Sequence, residues 1–544
     1  MSAVTKIATI LISFLLVCMQ MCAHAAASIP LTYAEMMLTS EQARADVMML
    51  RVALEKAHPG LYRYVPKSDI DAAFDKLEKR VKTPITDADL YGEISLMLAT
   101  IRCDHTEAEF SDAMMKYRRN ILTHLPFRFK LFDHHIFVFG GDGTQNALPR
   151  GTEIMAINGQ PVGTVLKRIE RAISVDGFTD ESRQSKLAAD SDLMGSDVDQ
   201  FYPIFYGFAP QFKRSMVMPG ETQEKAVILA AITFREWVKL PWQSTAYRGE
   251  FYKSIDWKLV GDKTAILKID TFVNYRHSVD PAGFYSAFFK VLNREKVEHL
   301  IIDLRENGGG SGDTNVALAL LLLKKPFIWN KPIQQKAIRF GAWTEDVETW
   351  GDHTEIFEPP VGNFRRLASG FYERITNETT PDQRPNALAA DRFSGRGTLL
   401  SSPDNASGTT VLIAKLKDEK RVSVIGEATG ASAEGPTAGR IFFLKLPDSG
   451  IVVRVPNFWN LMSISAFTQG KGVASDIEVK STLEAFLADR GGGGNRQNHI
   501  SYSKIISTFE TDFVGKRKYS RSIRLGGKAK FIPFGAMGDV NHFL

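Results

Sequence analysis

The sequence predicts a multidomain α/β protein, and three observations lead to this fold class. Helical patterns open the chain at residues 40–56, 69–81 and 87–101. Later, a short apolar run twice ends in a turn that opens a helical pattern, as in strand–turn–helix units. The 544 residues, 44% of them hydrophobic and 24% charged, imply several cores in folded domains.

Residues 1–25 have the pattern of a secretory signal peptide. One basic residue, Lys6, precedes an apolar run over residues 7–21, and Ala23-His-Ala25 supplies the small residues of a cleavage site. The apolar run is too short for a membrane span. We therefore expect export across the inner membrane to the periplasm, with no integral membrane span in the mature chain.

The next two predicted domains are a helical region at residues 26–120 and a PDZ-like domain at residues 121–220. The PDZ-like prediction depends on Leu148-Pro-Arg-Gly-Thr-Glu-Ile-Met-Ala-Ile-Asn-Gly-Gln-Pro-Val162, which resembles a strand–turn segment of that peptide-binding module. Asn158-Gly159 is a good hairpin turn in its own right. Because no Gly-Leu-Gly-Phe-like carboxylate loop is recognisable upstream, a structural role and a binding role both stay open.

A glycine-rich loop is the most informative feature of the chain. The segment is Glu298-His-Leu-Ile-Ile-Asp-Leu-Arg-Glu-Asn-Gly-Gly-Gly310. It predicts a buried strand that ends in three glycines, whose backbone can approach a ligand closely because it has no Cβ atoms. A helical pattern follows from Asp313 to Lys324. Such loops also bind phosphates, but neither the nucleoside triphosphate pattern nor the dinucleotide pattern fits here. The alternative to a binding loop is a tight turn without chemistry.

A second strand–turn–helix unit contains Asn405-Ala-Ser407-Gly408. A serine at the start of a helix exposes its Oγ, and the N–H of the next residue has no intrahelical partner. The same backbone can therefore present a nucleophile and an oxyanion donor. Taken alone, Ser407 is also compatible with a helix N-cap.

Three motifs together resemble the C-terminal-processing (tail-specific) and tricorn-like serine peptidases. They are the glycine loop ending at Gly310, Asn405-Ala-Ser-Gly408, and Val424-Ile-Gly-Glu-Ala-Thr-Gly430, in the family's order. The resemblance implies a mixed αβ peptidase core of the ClpP/crotonase-like type at residues 251–490. It also implies that Ser407 is the nucleophile and that Gly408 and Gly309 form the oxyanion hole.

The general base expected from the resemblance is a histidine. The tail-specific branch uses a lysine, but Gly426-Glu-Ala-Thr-Gly-Ala-Ser-Ala-Glu434 contains none. The tricorn-like branch uses a histidine in a segment similar to Ile101-Arg-Cys-Asp-His-Thr106, which makes His105 the candidate. His58 is interpreted as a packing or capping residue. Cys103 is either a small buried residue or a thiol nucleophile.

The third catalytic residue departs from the family pattern. Where the family commonly has a glutamate before Gly-Val-x-Pro-Asp, Phe467-Thr-Gln-Gly-Lys-Gly-Val-Ala-Ser-Asp476 places Gln469. A glutamine can hold the imidazole but stabilises imidazolium less than a carboxylate does. Glu434 and Asp104 are the alternative orienting carboxylates.

The rest of the core and the tail carry fewer signals. Residues 447–450 should turn a hairpin between Ile441–Leu446 and Ile451–Val455. Residues 491–544 form a Gly-rich linker and a tail with nine Lys/Arg and three Asp/Glu, a net charge of +6 against +5 for the whole chain. The tail is either solvated or in contact with anionic lipid, and a basic surface for nucleic acid is not expected elsewhere.

The sequence thus predicts a secreted serine endopeptidase that acts on peptides or proteins, without metal or cofactor, since it contains no such motif. After removal of the signal peptide, Cys103 is the remaining cysteine, which excludes an intramolecular disulfide. The alternative is a weak or inactive peptide-binding relative on the same scaffold.

Overall fold

The computed structural model describes residues 36–141, 148–188, 194–240, 250–344, 347–350, 353–375, 386 and 388–488. The predicted signal peptide, 1–25, and the predicted tail, 491–544, lie outside these residues. Among the helices of the described residues, none combines the length and the apolar character that crossing a bilayer requires.

The helices are, in chain order, α1 (Ser40–Ala57), α2 (Lys67–Arg80), α3 (Asp87–Ala99), α4 (Asp112–Arg118), α5 (Val162–Glu170), α6 (Glu181–Ala188), α7 (Asp197–Tyr206), α8 (Phe234–Trp237), α9 (Pro281–Arg294), α10 (Gly312–Leu322), α11 (His353–Phe357), α12 (Ser407–Asp418) and α13 (Leu483–Ala488). The strands are β1 (Met37–Leu38), β2 (Ile85–Thr86), β3 (Ala108–Glu109), β4 (Phe127–Phe132), β5 (His135–Gly141), β6 (Glu153–Ile157), β7 (Gln160–Pro161), β8 (Gln211–Val217), β9 (Glu224–Ala230), β10 (Ile255–Val260), β11 (Thr264–Ile269), β12 (His299–Asp303), β13 (Gln334–Gln335), β14 (Glu348–Trp350), β15 (Phe364–Arg366), β16 (Tyr372–Arg374), β17 (Arg396–Ser401), β18 (Val422–Gly426), β19 (Ile441–Lys445), β20 (Val452–Pro456) and β21 (Ile477–Glu478). This architecture confirms the predicted multidomain α/β class.

The three predicted N-terminal helices are confirmed as α1, α2 and α3. Thr39 starts α1 with a capping box, in which its hydroxyl accepts from Gln42 N at 3.2 Å and its own N–H donates to Gln42 Oε1 at 3.0 Å. Thr86 caps α3 by accepting from Asp89 N at 3.0 Å. The buried faces of these helices join one apolar core with β4, β5, β19 and β20.

The central sheet has the strand order β10-β11-β12-β17-β18-β21. β10 pairs antiparallel with β11, and all later neighbours run parallel. All five residues of β12 are buried, as expected for a parallel strand covered on both faces. The carboxyl ends of β12, β17 and β18 therefore lie at one edge of the sheet, and each of the three predicted motifs contains or follows one of these ends.

A second sheet, of order β4-β5-β6-β8-β9 with β7 paired to β6, lies within and just beyond the predicted 121–220 domain. All its pairings are antiparallel. The predicted hairpin turn is confirmed, because Asn158 and Gly159 have φ of 50° and 79° between β6 and β7. The resemblance of this domain to a PDZ module stays a prediction.

A third sheet, β14-β19-β20-β3, joins the two halves of the chain. It contains the predicted hairpin of β19 and β20. The turn of this hairpin is held by helix α1, because the buried carboxylate of Asp46 accepts from the N–H groups of Asp448 and Ser449, both at 2.9 Å.

Asp46→Ala should therefore lower the free energy of unfolding by about 3 kcal/mol, since the buried N–H of Ser449 and the half-buried N–H of Asp448 lose a charged acceptor. Urea unfolding of the full chain measures this loss. Arg44→Ala, an exposed change on the same helix, is the control. An equal loss in both variants would contradict the role of Asp46.

Candidate active site

The glycine loop after β12 has little freedom to move. Gly309 and Gly310 have φ of 113° and 140°, where a side chain is strained. A Cβ on Gly310 would lie 2.2 Å from the carbonyl carbon of Phe272, and one on Gly309 would lie 2.9 Å from Cβ of Ser407. Two of the three consecutive glycines thus allow close backbone contact, as the sequence indicated.

Asn307, which precedes the glycines, ties the loop to its surroundings. Its Nδ2 donates to the carbonyl of Ile269 at 3.1 Å, and its Oδ1 accepts from Gly309 N at 2.9 Å and from Thr409 Oγ1 at 2.6 Å. Its carbonyl accepts from Asn405 Nδ2 at 3.1 Å. One buried side chain therefore connects β11, the glycine loop and α12.

Ser407 is the first residue of α12 and has φ of 43°. The N-cap position belongs to Ala406, so the alternative of Ser407 as the cap does not hold. A non-glycine residue with positive φ at a strand-to-helix turn is typical of nucleophile elbows, where strain exposes the hydroxyl. Ser407 itself is only partly buried.

The two predicted oxyanion donors lie together but differ in their bonding. A Cβ on Gly309 would be 3.1 Å from Gly408 N, so the two residues are in contact. The N–H of Gly309 is already bonded to Asn307, whereas Gly408 lies in the first helical turn, whose amides lack an intrahelical partner. A further amide is close: a Cβ on Gly408 would lie 2.3 Å from Nδ2 of the buried Asn315.

His105 reaches Ser407 from 302 positions earlier in the chain. Its Nε2 lies 3.2 Å from Ser407 Oγ, within hydrogen-bond distance. Two contacts fix the neighbouring Thr106: its carbonyl accepts from Ser174 Oγ at 2.8 Å, and its hydroxyl lies 2.7 Å from Nε2 of His58. The structure thus brings together the predicted base and the predicted nucleophile.

Asp104 is the carboxylate beside the other imidazole nitrogen. Its Oδ1 lies 3.8 Å from Nδ1 of His105, and its Oδ2 lies 3.9 Å from Nζ of Lys186 on α6. Burial favours the neutral acid, but Lys186, His105 and Arg454 outweigh it and hold the pKa of Asp104 below its ordinary value. Asp104 Oδ1 and His105 Nδ1 are buried without a hydrogen-bond partner among the described residues.

The structure does not bring Gln469 or Glu434 to His105. Gln469 is exposed, and its Nε2 lies 3.4 Å from the carbonyl of Arg63. Glu434 is buried against Arg63 at 3.1 Å and accepts from Tyr64 Oη and Gly470 N, both at 3.0 Å. Within the described residues, neither side chain has a hydrogen bond to His105.

Three supporting residues escaped the sequence analysis as site residues. Asn307 had a signal, because it directly precedes the glycines. Lys186 and Asn315 had none, since their positions near the site depend on helix packing. His58 does cap α1 as predicted, and it also holds Thr106 next to His105.

Cys103 is a small buried residue rather than a reactive thiol. It is 2% exposed, and burial raises its pKa to about 12, so the thiol stays protonated near neutral pH.

A strand-end serine on a strained turn, a histidine at hydrogen-bond distance and a glycine loop define the class of serine hydrolases. Residues 263–479 match peptidase family S41. The tail-specific protease of Haemophilus influenzae is 24% identical over 254 residues, which cover 46% of this chain and 29% of that protein. The chain thus matches less than a third of that relative's length.

Solved structures share the fold. The crystal structure of mature CPAF has a TM-score of 0.55 at 15% identity, over 82% of this chain and 94% of that chain. The structure of mature CPAF complexed with lactacystin has a TM-score of 0.56 at 14% identity, over 82% of this chain and 95% of that chain.

The buried His58 should make stability dependent on pH. Burial lowers its pKa to about 3, whereas a histidine in an unfolded chain titrates near 6.5. Below pH 6.5 the unfolded chain binds a proton that the folded chain excludes, so stability falls as the pH decreases. Between pH 7 and pH 5 His58 alone should remove about 2 kcal/mol from the free energy of unfolding.

Urea unfolding of the His58→Gln variant should show about 2 kcal/mol less loss over this interval than the parent. Thr106→Val is the matched control, because it removes the hydroxyl beside His58 but keeps the buried ring. It should destabilise the chain equally at both pH values. If His58→Gln and the parent have the same pH dependence, the histidine is not excluded from protonation in the fold.

Proposed function

We propose that this protein is a secreted serine endopeptidase that hydrolyses peptide bonds through an acyl-enzyme on Ser407. The observation that carries the proposal is the 3.2 Å distance between Nε2 of His105 and Oγ of Ser407. The match of residues 263–479 to peptidase family S41 supports peptide or protein chains as the substrate class. The signal-peptide pattern of residues 1–25 supports action in the periplasm.

In the proposed reaction His105 accepts the Ser407 proton as Oγ attacks the scissile carbonyl carbon. The N–H of Gly408 stabilises the tetrahedral oxyanion. The protonated imidazole then donates its proton to the leaving amine as the C–N bond breaks, which leaves the acyl-enzyme. A water activated by the neutral imidazole attacks the ester carbonyl, which releases the acid product and restores Ser407.

We propose Asp104 as the carboxylate that orients His105. Lys186 and Arg454 favour its ionised form, and its Oδ1 lies 3.8 Å from Nδ1 of His105. A shift of about 1 Å would bring the pair to hydrogen-bond distance. An anion at this position stabilises the imidazolium that forms in the transition state.

The second candidate function is a peptide-binding relative without catalysis. Two observations favour it: Nδ1 of His105 has no hydrogen-bond partner among the described residues, and the N–H of Gly309 is engaged by Asn307. The two candidates differ in whether Ser407 becomes acylated.

Ser407→Ala should abolish hydrolysis of casein and leave thermal unfolding nearly unchanged. A fluorophosphonate should label the parent at Ser407, located by mass spectrometry, and should label His105→Gln at least about 100-fold more slowly because the base is missing. Ser68→Ala, an exposed serine on α2, is the control. A parent that is neither labelled nor active would support the binding relative.

Asp104→Asn should lower turnover by about 100-fold or more, since the neutral amide removes the charge that stabilises imidazolium. Gln469→Glu should change turnover less than twofold, because its side chain bonds to Arg63 on the surface. Initial rates on casein compare the two variants. The reverse result, an inert Asp104→Asn and an accelerated Gln469→Glu, would assign the orienting role to position 469.

A further inference from the structure

A cleft of about 700 Å³ lies between the second sheet and the active-site edge of the central sheet. Residues of β4, β5 and α6 form one wall. Glu306 and residues 402–404 and 480–483 form the other. The volume is in the range of about 300–1,000 Å³ that is usual for ligand sites, and holds a few peptide side chains.

The cleft adjoins the proposed nucleophile through both active-site loops. Glu306 is in the glycine loop, three residues before Gly309, and Asp404 is three residues before Ser407. The two loops touch, since a Cβ on Gly308 would lie 3.8 Å from the carbonyl oxygen of Asp404. The cleft and Ser407 thus share the same two loops, so a peptide segment bound at Ser407 can extend into the cleft within a few residues of its scissile bond.

The lining of the cleft is strongly acidic. Its cationic groups are Lys130, Lys480 and, when protonated, His135, whose Nδ1 lies 2.5 Å from Glu153 Oε1. Lys480 also lies 3.4 Å from Glu478, outside the lining. The six lining carboxylates belong to Asp133, Glu153, Glu181, Glu306, Asp404 and Glu427.

Apolar side chains separate these carboxylates. Leu131, Phe132, Phe137 and Leu483 contribute to the same lining. This combination suits a lysine or arginine side chain, which packs its methylene stem on apolar surface and places its cation at a carboxylate. The acidic lining repels the C-terminal carboxylate of a peptide. The cleft therefore differs from a PDZ-like module, which binds peptide ends.

Glu427 is one lining carboxylate that a bound cation would interact with favourably. The residue belongs to the Val424–Gly430 motif, and its Oε2 accepts from Ser481 N at 3.1 Å. Glu427 is half-buried, and this burial raises the pKa of its carboxyl group. A cationic guest would offset this desolvation.

We infer that the cleft selects peptide segments with a lysine or arginine side chain close to the scissile bond, and disfavours acidic segments. The inference names the substrate class of the proposed endopeptidase and rests on that proposal for its position relative to the cut. The carboxylates come from separate elements that converge on one cavity, and two of them, Glu306 and Asp404, belong to the loops that carry Gly309 and Ser407.

Internally quenched peptide libraries test the inference on the full chain. Each sublibrary fixes Lys, Arg, Gln or Glu at one position around the scissile bond. At one position or more, the Lys or Arg sublibrary should be cleaved at least about tenfold faster than the Glu sublibrary, a factor that corresponds to about 1.4 kcal/mol. Equal rates for Lys, Arg and Glu at every position would overturn the inference.

A triple variant, Glu153→Gln with Glu181→Gln and Glu427→Gln, ties the preference to the cleft. It should reduce the Lys-to-Glu rate ratio at least about fivefold, since neutral amides keep the shape but lose the attraction. Glu224→Gln is the control, an exposed change on β9 at the edge of the second sheet opposite to β4. It should leave the Lys-to-Glu rate ratio unchanged. A ratio that survives the triple variant would place the selectivity elsewhere.

Binding separates failure of this inference from failure of the proposed function. Fluorescence anisotropy with Ser407→Ala compares labelled peptides that differ only in Lys or Glu, at about 50 and 500 mM NaCl. If no library is hydrolysed but the Lys peptide binds more tightly at low salt, the endopeptidase proposal fails and the cleft inference holds. Equal affinity for both peptides would overturn the cleft inference.

Discussion

The short pairing of β3 with β20 is the constraint on which the candidate site depends, because it attaches the segment after His105 to a hairpin in the second half of the chain. It joins Ala108 to Val453 and Glu109 to Val452. Two residue pairs are weak alone, but Arg454 adds ion pairs to Glu107 at 2.5 Å and Glu109 at 2.8 Å. Local release of the N-terminal helices would therefore separate His105 from Ser407 while the central sheet stays folded.

The strained backbone of Ser407 needs rigid surroundings. A positive φ at a non-glycine residue costs about 1–3 kcal/mol and persists only where neighbouring contacts fix it. Here Asn405 Nδ2 donates to the carbonyls of Leu304 and Asn307, and Thr409 Oγ1 donates to Asn307 Oδ1. Because Asn307 also accepts from Gly309 N, it connects the Ser407 turn to the glycine loop. This bond occupies the N–H of Gly309 that the sequence assigned to the oxyanion hole, so we propose Gly408 alone as the donor.

Local patterns predicted several elements of the fold, and the family resemblance supplied two residues of the candidate site. The N-terminal helices, the β19–β20 hairpin and the turn at Asn158 follow from periodicity, caps and turn residues, which act over a few residues. Ser407 and His105 followed from motifs that resemble a known family. The sequence left three candidate partners of His105 open, namely Gln469, Glu434 and Asp104, because the choice depends on packing. In the structure the exposed Gln469 bonds to Arg63, and Glu434 contacts Arg63 and Tyr64.

Asp104 and the nearby Asp176 differ in how readily they ionise. Asp176 is buried, the side chain of Asp104 is 9% exposed, and the two carboxylates repel each other. Burial and the charge of Asp104 raise the pKa of Asp176, although Ser432 donates to it through Oγ at 2.7 Å and N at 3.0 Å. Asp104 has a lowered pKa because Lys186 and Arg454 are near. Arg63 lies near Asp176, but burial and the charge of Asp104 outweigh it, whereas at Asp104 the cations Lys186 and Arg454, together with His105, outweigh burial. Of the two carboxylates Asp104 therefore ionises more readily, and it faces the imidazole that we propose as the base.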